Sequence, residues 1–154
     1  MDMNKFLPII ALLLLSGCVT NKGLIKLQQA NVESKQIVIL KDHPTRESVL
    51  PVLENWFYEN GYSAKVVQSL GEVNPEDYVF SYRAKWSWDM ATYMRDVEMK
   101  LKLKGETLGD LKFDSVQYGG FGKFGDAETR LKIMLDVLFG KITRQDAEKQ
   151  LGKA

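Results

Sequence analysis

From residue 78 to residue 103 the chain alternates. Tyr78, Phe80, Tyr82, Ala84, Trp86 and Trp88 share one parity, and Val79, Ser81, Arg83, Lys85, Ser87 and Asp89 share the other. Successive side chains of a strand point to opposite faces, so this spacing predicts a strand with one aromatic face and one mostly polar face. After Asp89 and Met90 the code repeats, with Val97, Met99, Leu101 and Leu103 against Glu98, Lys100, Lys102 and Lys104. A helix would scatter these residues around its axis. The two runs therefore predict a one-faced antiparallel pair whose apolar face must be covered.

The flanking patterns predict the cover. Ile37, Val38, Ile39 and Leu40 form a continuous apolar run, as expected of a strand buried on both faces. Pro44 interrupts it, and a helix is predicted to start near residues 45–48, with Pro51 in its first turn. Val49, Leu53, Trp56 and Phe57, with Leu50, make its apolar stripe, and Asn60-Gly61 ends it. Residues 62–70 read as a second strand. If it pairs parallel to the first, the unit is a βαβ crossover. Residues 71–77 and 104–107 read as turns, and 108–115 as a weakly alternating strand. Asp126 suits the N-cap of a helix whose stripe is Leu131, Met134, Leu135 and Leu138. Thr143 and Asp146 can cap a last helix over 143–151, anchored by Leu151 and Ala147 alone and therefore expected to fray.

The sum is an α+β fold, β-α-β-β-β-(β)-α-α: a single, mostly antiparallel sheet with helices packed on one face. Trp56, Phe57, Leu135 and Leu138 are the natural cover for Phe80, Tyr82, Trp86, Val97 and Leu101. At 154 residues there is room for one domain, and 45% hydrophobic with 27% charged residues is ordinary for one. A net charge of +1 gives no reason to expect a nucleic-acid partner. The Lys100, Lys102, Lys104 row reads as the solvated face of a strand, an edge guarded against pairing with other chains. The single cysteine excludes an intramolecular disulfide and a multi-cysteine zinc site.

That cysteine has a distinctive context. Lys5 precedes an apolar run from Phe6 to Leu15, the length of a signal-peptide core and short for a membrane span. The run ends in Leu15-Ser16-Gly17-Cys18, which resembles the lipobox of bacterial lipoproteins. The resemblance implies cleavage of residues 1–17 and a mature protein beginning at Cys18. That residue would carry a diacylglyceryl thioether and an N-acyl chain, since two or more chains anchor stably where one binds reversibly. Val19 follows, and the absence of Asp there points to the inner leaflet of the outer membrane. Residues 18–35 are mixed and without period, so the lipidated cysteine is expected to continue into a flexible tether, with the folded domain over 36–152. A coil of that length spans roughly 20–25 Å on average.

Candidate chemistry is sparse. His43, the only histidine, lies beside Asp42 in a strand-to-helix loop, but a hydrolase needs a nucleophile, and Ser48 sits in no recognisable elbow. No spacing suggests a metal site or a bound cofactor. Residues 118–125 form a glycine-rich, aromatic loop ahead of a helix. It lacks the Gly-Lys-Ser/Thr ending of a phosphate-binding loop, so a hinge or packing turn is the plainer reading. The best interaction candidates are aromatic: Trp86 and Trp88 at the hairpin mouth, and Phe121 and Phe124 in the glycine loop.

Asp77-Tyr78-Val79, the Trp86-Ser87-Trp88-Asp89-Met90-Ala91 stretch, the glycine loop and Leu138-Phe139-Gly140 resemble small periplasmic lipoproteins of Gram-negative bacteria. The layout is also similar to the α/β modules of envelope accessory proteins such as the N-terminal domain of TolB and CsgG-like lipoproteins. The resemblance implies a lipid-anchored periplasmic domain that binds an envelope protein partner and has no enzymatic activity. Two alternatives stand beside it. One is a carrier or sensor of an apolar ligand, with Tyr82, Trp86 and Trp88 lining a cleft between sheet and helix. The other is a hydrolase using Asp42 and His43.

Overall fold

The computed structural model describes residues 25–117 and 122–152, so Cys18 and Phe121 lie outside the described residues. The elements run β1 (Ile25–Gln28), β2 (Gln36–Leu40), α1 (Val49–Glu59), β3 (Ser63–Val67), a 3-10 turn (Leu70–Glu72), β4 (Val79–Asp89), β5 (Ala91–Leu103), β6 (Glu106–Asp114), α2 (Ala127–Leu138) and α3 (Arg144–Leu151). The six strands form one mixed sheet in the order β1-β6-β5-β4-β2-β3. β2 is parallel to both β3 and β4, and the other pairings are antiparallel. The helices pack against one face of the sheet, giving the α+β architecture that the alternating runs predict.

The core forms where the patterns meet. Ile39, Phe80, Met99, Leu101, Leu111, Leu53, Phe57, Met134, Leu135 and Leu138 are all buried in one cluster. Phe57 meets Phe80 edge-on at 5.1 Å between centroids, joining α1 to the aromatic face of β4. The Trp56 indole N–H donates to Asp136 at 2.9 Å, which ties α1 to α2. β2 is covered on both sides, as its unbroken apolar run anticipates. Ile37 and Ile39 enter the helical layer, while Val38 on the opposite parity is also buried. The reason is topological: residues 68–78 must return the chain from the end of β3 to the start of β4. Leu70 and Val73 of this return line an open groove with Val79 and Lys102, which are residues of the outer face.

Three expectations are corrected. The tether predicted over 18–35 is interrupted by β1, which pairs antiparallel with β6 and buries Ile25 completely. The four residues of β1 are too few to register as a period, and their partner lies about ninety positions away in the chain. The segment stays docked beyond the strand: the Ala30 amide donates to Leu138 O at 2.7 Å. A Cβ on Gly109 would come within 2.7 Å of Ala30, so only glycine admits this approach. The domain therefore extends N-terminally at least to Ile25.

The lysine row is not an edge. β5 is paired on both sides, and Lys100 stands between Ser81 of β4 and Asp110 of β6. Lys104 and Gly105 both take positive φ (52° and 83°) in the two-residue turn to β6, the backbone that matches sheet twist in tight hairpins. The third correction concerns α3, which is pinned rather than frayed. Thr143 accepts from the Asp146 amide at 3.1 Å, Ala147 and Leu151 are buried, and Arg144 donates to Ile25 O at 2.7 Å.

Candidate functional site

The site is built on the part of the β4–β5 hairpin that outruns the rest of the sheet. β6 ends at Asp114 opposite Asp96, and β1 begins at Ile25 opposite Phe113. Beyond that row, among the described residues, only β4 and β5 continue, through Trp86 opposite Met94 and Trp88 opposite Thr92, to Asp89 opposite Ala91. Between the Lys85–Asp96 and Trp86–Met94 pairs the register shifts, leaving Arg95 as an extra residue in β5. Such a bulge reverses the parity of the strand beyond it. Met94, not Arg95, thus follows Val97 into the core, and Tyr93 is turned to the other face.

Two anchors fix the tip. On one side, the Thr45 hydroxyl accepts from the Ala84 amide at 2.9 Å and donates to the Asp42 carboxylate at 2.7 Å. Arg83 also donates to Asp42, through Nε at 3.2 Å and Nη2 at 2.8 Å. Burial pushes the Asp42 carboxyl up, but the hydrogen bonds from Arg83 and Thr45 and the charge of Arg83 outweigh it and hold the group below the usual carboxylate range. The carboxylate predicted to serve a hydrolytic pair is thereby engaged as an acceptor for Arg83 and Thr45, while the His43 residue is exposed.

On the other side, the glycine loop is drawn to the tip. Arg130 of α2, only 1% exposed, donates to the carbonyls of Gly122 and Lys123 and stacks over Phe113 at 5.8 Å. Burial lowers the Arg130 pKa from its ordinary value. With its backbone held, Lys123 pairs with Asp89 of the hairpin, and the Phe124 ring meets Tyr93 edge-on at 5.6 Å. Gly122, Lys123 and Phe124, in the described part of the loop, thus brace the tip.

The four aromatic candidates separate. Trp88 (73% exposed) and Phe124 (54% exposed) arrive at the same tip, joined by Met90 (89% exposed) at its apex. Trp86 is half-buried, with the Arg46 guanidinium over its ring at 4.6 Å. Phe121 lies outside the described residues. Tyr82 is buried and stacked against Phe80, so Tyr82, Trp86 and Trp88 do not share the cleft expected for an apolar ligand. The groove beside residues 70–79, of about 630 Å³, lies at the opposite end of β4. Among the described residues, no group of three or more His, Cys, Asp or Glu is placed to hold a metal ion. No helix there is long and apolar enough to cross a membrane.

Met90 lies in the Trp86–Met90 stretch that the sequence offers as a candidate, whereas Tyr93, Lys123 and Arg130 were not singled out. Lys123 had a signal, being the one cation inside an aromatic glycine loop. The bulge had none. No protein family, curated protein or solved structure matches the chain.

Proposed function

We propose that the protein is a lipid-anchored domain of the bacterial cell envelope that acts by contact rather than catalysis, with the β4–β5 tip as its contact surface. Cys18, lipidated within its Leu-Ser-Gly-Cys context, holds the domain at the inner leaflet of the outer membrane, facing the periplasm. The observation that carries the reading is the exposure of Trp88, Met90 and Phe124 on a tip held by Lys123, Arg130 and Thr45. Large apolar side chains left uncovered on a pre-organised frame mark interaction sites, because little conformational freedom is lost when they bind. The engagement of Asp42 by Arg83 and Thr45 weighs against the hydrolase reading.

The test is a photoreactive benzophenone side chain placed at position 88 in living cells, with position 112 on the outer face of the sheet as control. Adducts with a protein or a lipid at 88 and none at 112 support the reading. Silence at both positions removes the tip as a contact surface. Separately, Cys18→Ser is expected to abolish processing and detergent partitioning. A variant still processed and membrane-bound would remove the anchor.

A further inference from the structure

We infer that the tip is a lipid-contact loop: Trp88, Met90 and Phe124 enter the surface of the same bilayer that holds Cys18. The inference rests on the lipid-anchored reading and specifies what its contact surface touches.

Strand direction is the first reason. Pairing aligns Ile25, Phe113, Val97 and Ala84 in one row across β1, β6, β5 and β4. β1 is antiparallel to β6, β6 to β5 and β5 to β4, so β1 begins at the end where β4 finishes. The chain from Cys18 therefore enters the domain at the end from which the tip projects. An anchor at the other end would have turned the tip away from the membrane.

Length is the second. Seven residue steps separate Cys18 from Ile25. They span about 13–16 Å as a flexible coil and at most about 25 Å fully extended. Trp88 stands four strand positions beyond the Ile25 row and Met90 six, which is about 13 Å and about 20 Å at the strand rise. The anchor thus holds Ile25 at the height above the bilayer that the tip bridges. With the tether of 18–35 expected from sequence alone, no such match would exist.

Chemistry is the third. Pairing places Trp88 on one side of the hairpin and Tyr93 on the other, where Phe124 covers it, with Met90 at the apex. Apolar groups thus leave the tip in several directions. A flat protein surface would cover one of them, whereas an immersing apolar medium covers all. Asp89, the acid between Trp88 and Met90, is paired with Lys123. The β-ladder runs on to Asp89 opposite Ala91, but in a two-stranded ribbon every second pair turns its backbone N–H and C=O groups outward, so the tip suits the hydrated headgroup layer and not the hydrocarbon beneath it. Trp suits this depth, with an apolar ring and a polar N–H for the headgroup layer.

The test uses the full chain, purified from cell membranes and placed in phosphatidylethanolamine–phosphatidylglycerol vesicles, with its acyl chains verified by mass. A Met90→Cys variant carries an environment-sensitive nitrobenzoxadiazole dye, and Glu106→Cys at the opposite end of the sheet is the control. The dye at 90 is expected to emit blue-shifted and to lose its quenching by aqueous iodide, while the dye at 106 keeps both properties of the water-exposed state. Acylated protein that floats with the vesicles yet shows equal quenching at 90 and 106 overturns the inference and leaves the anchor standing. Protein with no acyl chains on Cys18 overturns the anchor and this inference with it. A protein, in place of lipid, as the dominant adduct at position 88 in cells overturns the lipid-contact assignment alone.

Discussion

The two halves of the β4–β5 hairpin share one sequence code and meet opposite fates. In the base, Phe80, Tyr82 and Ala84 face Met99 and Leu101 beneath α1 and α2, and every one of these side chains is buried. In the tip, Trp86 and Trp88 continue the parity, yet Trp86 is half-buried under Arg46 and Trp88 is exposed. Hydrophobicity does not separate them, since tryptophan is at least as large an apolar group as those in the base. Reach does. α1 starts at Val49, and β1 and β6 stop at the Ile25–Ala84 row, so among the described residues no helix and no further strand of the sheet covers Trp88. Alternation says which side of a strand is apolar. Whether that side is core or surface depends on the length of the elements opposite it.

The largest expected effect tests the base. Phe57→Ala removes a ring that is fully buried and in edge-on contact with Phe80, Tyr62 and Phe139. The loss of transfer energy together with the cavity left behind is expected to cost about 3–5 kcal/mol in urea unfolding. A loss under about 1 kcal/mol would mean that α1 is not the cover, and the contrast with the tip would collapse.

A second substitution asks how far the cover extends toward the N-terminus. Gly109→Ala places a Cβ against the backbone and side chain of Ala30, and backbone cannot yield as a flexible side chain does. Overpacking of this kind costs typically about 1–3 kcal/mol. Protection of the Ala30 amide, which donates to Leu138 O, is expected to fall with it in hydrogen exchange. Unchanged stability and protection would return residues 29–31 to the tether and remove the length match between anchor and tip.

What the chain discloses of this arrangement follows the range of the interactions. The two long strands, α1 with its Val49, Leu53, Trp56, Phe57 stripe, and the Asp126 and Thr143 caps are legible because each signal lies within a dozen residues of its effect. Asp126 does accept from the Thr129 amide, at 2.7 Å. β1 is illegible because its order comes from Phe113, Leu111 and Arg144, all far away in sequence. For the site, Trp88 and Phe124 were visible as aromatics without cover, but their convergence was not. It depends on Arg130, which reads as an ordinary polar position of an amphipathic helix and is instead the buried clamp on the glycine loop. The bulge at Arg95 leaves no local mark, so the burial of Met94 and the turning of Tyr93 could be found only from pairing.

The smallest expected effect is the sharpest test of the comparison. Trp88→Ala deletes one of the hairpin's two tryptophans, yet Trp88 is 73% exposed and its pairing partner Thr92 is exposed too. A substitution away from buried contacts usually shifts stability by no more than about 0.5 kcal/mol. The urea midpoint of Trp88→Ala is therefore expected to stay close to that of the wild type, while Phe57→Ala moves far below it. If Trp88→Ala instead cost as much as a core residue, the tip would be part of the folding unit. Its exposure would then need a structural explanation, and the case for a contact surface would go. An unchanged midpoint is what the proposed contact surface requires: a Trp that folding does not need, on a tip braced by an ion pair and a buried arginine.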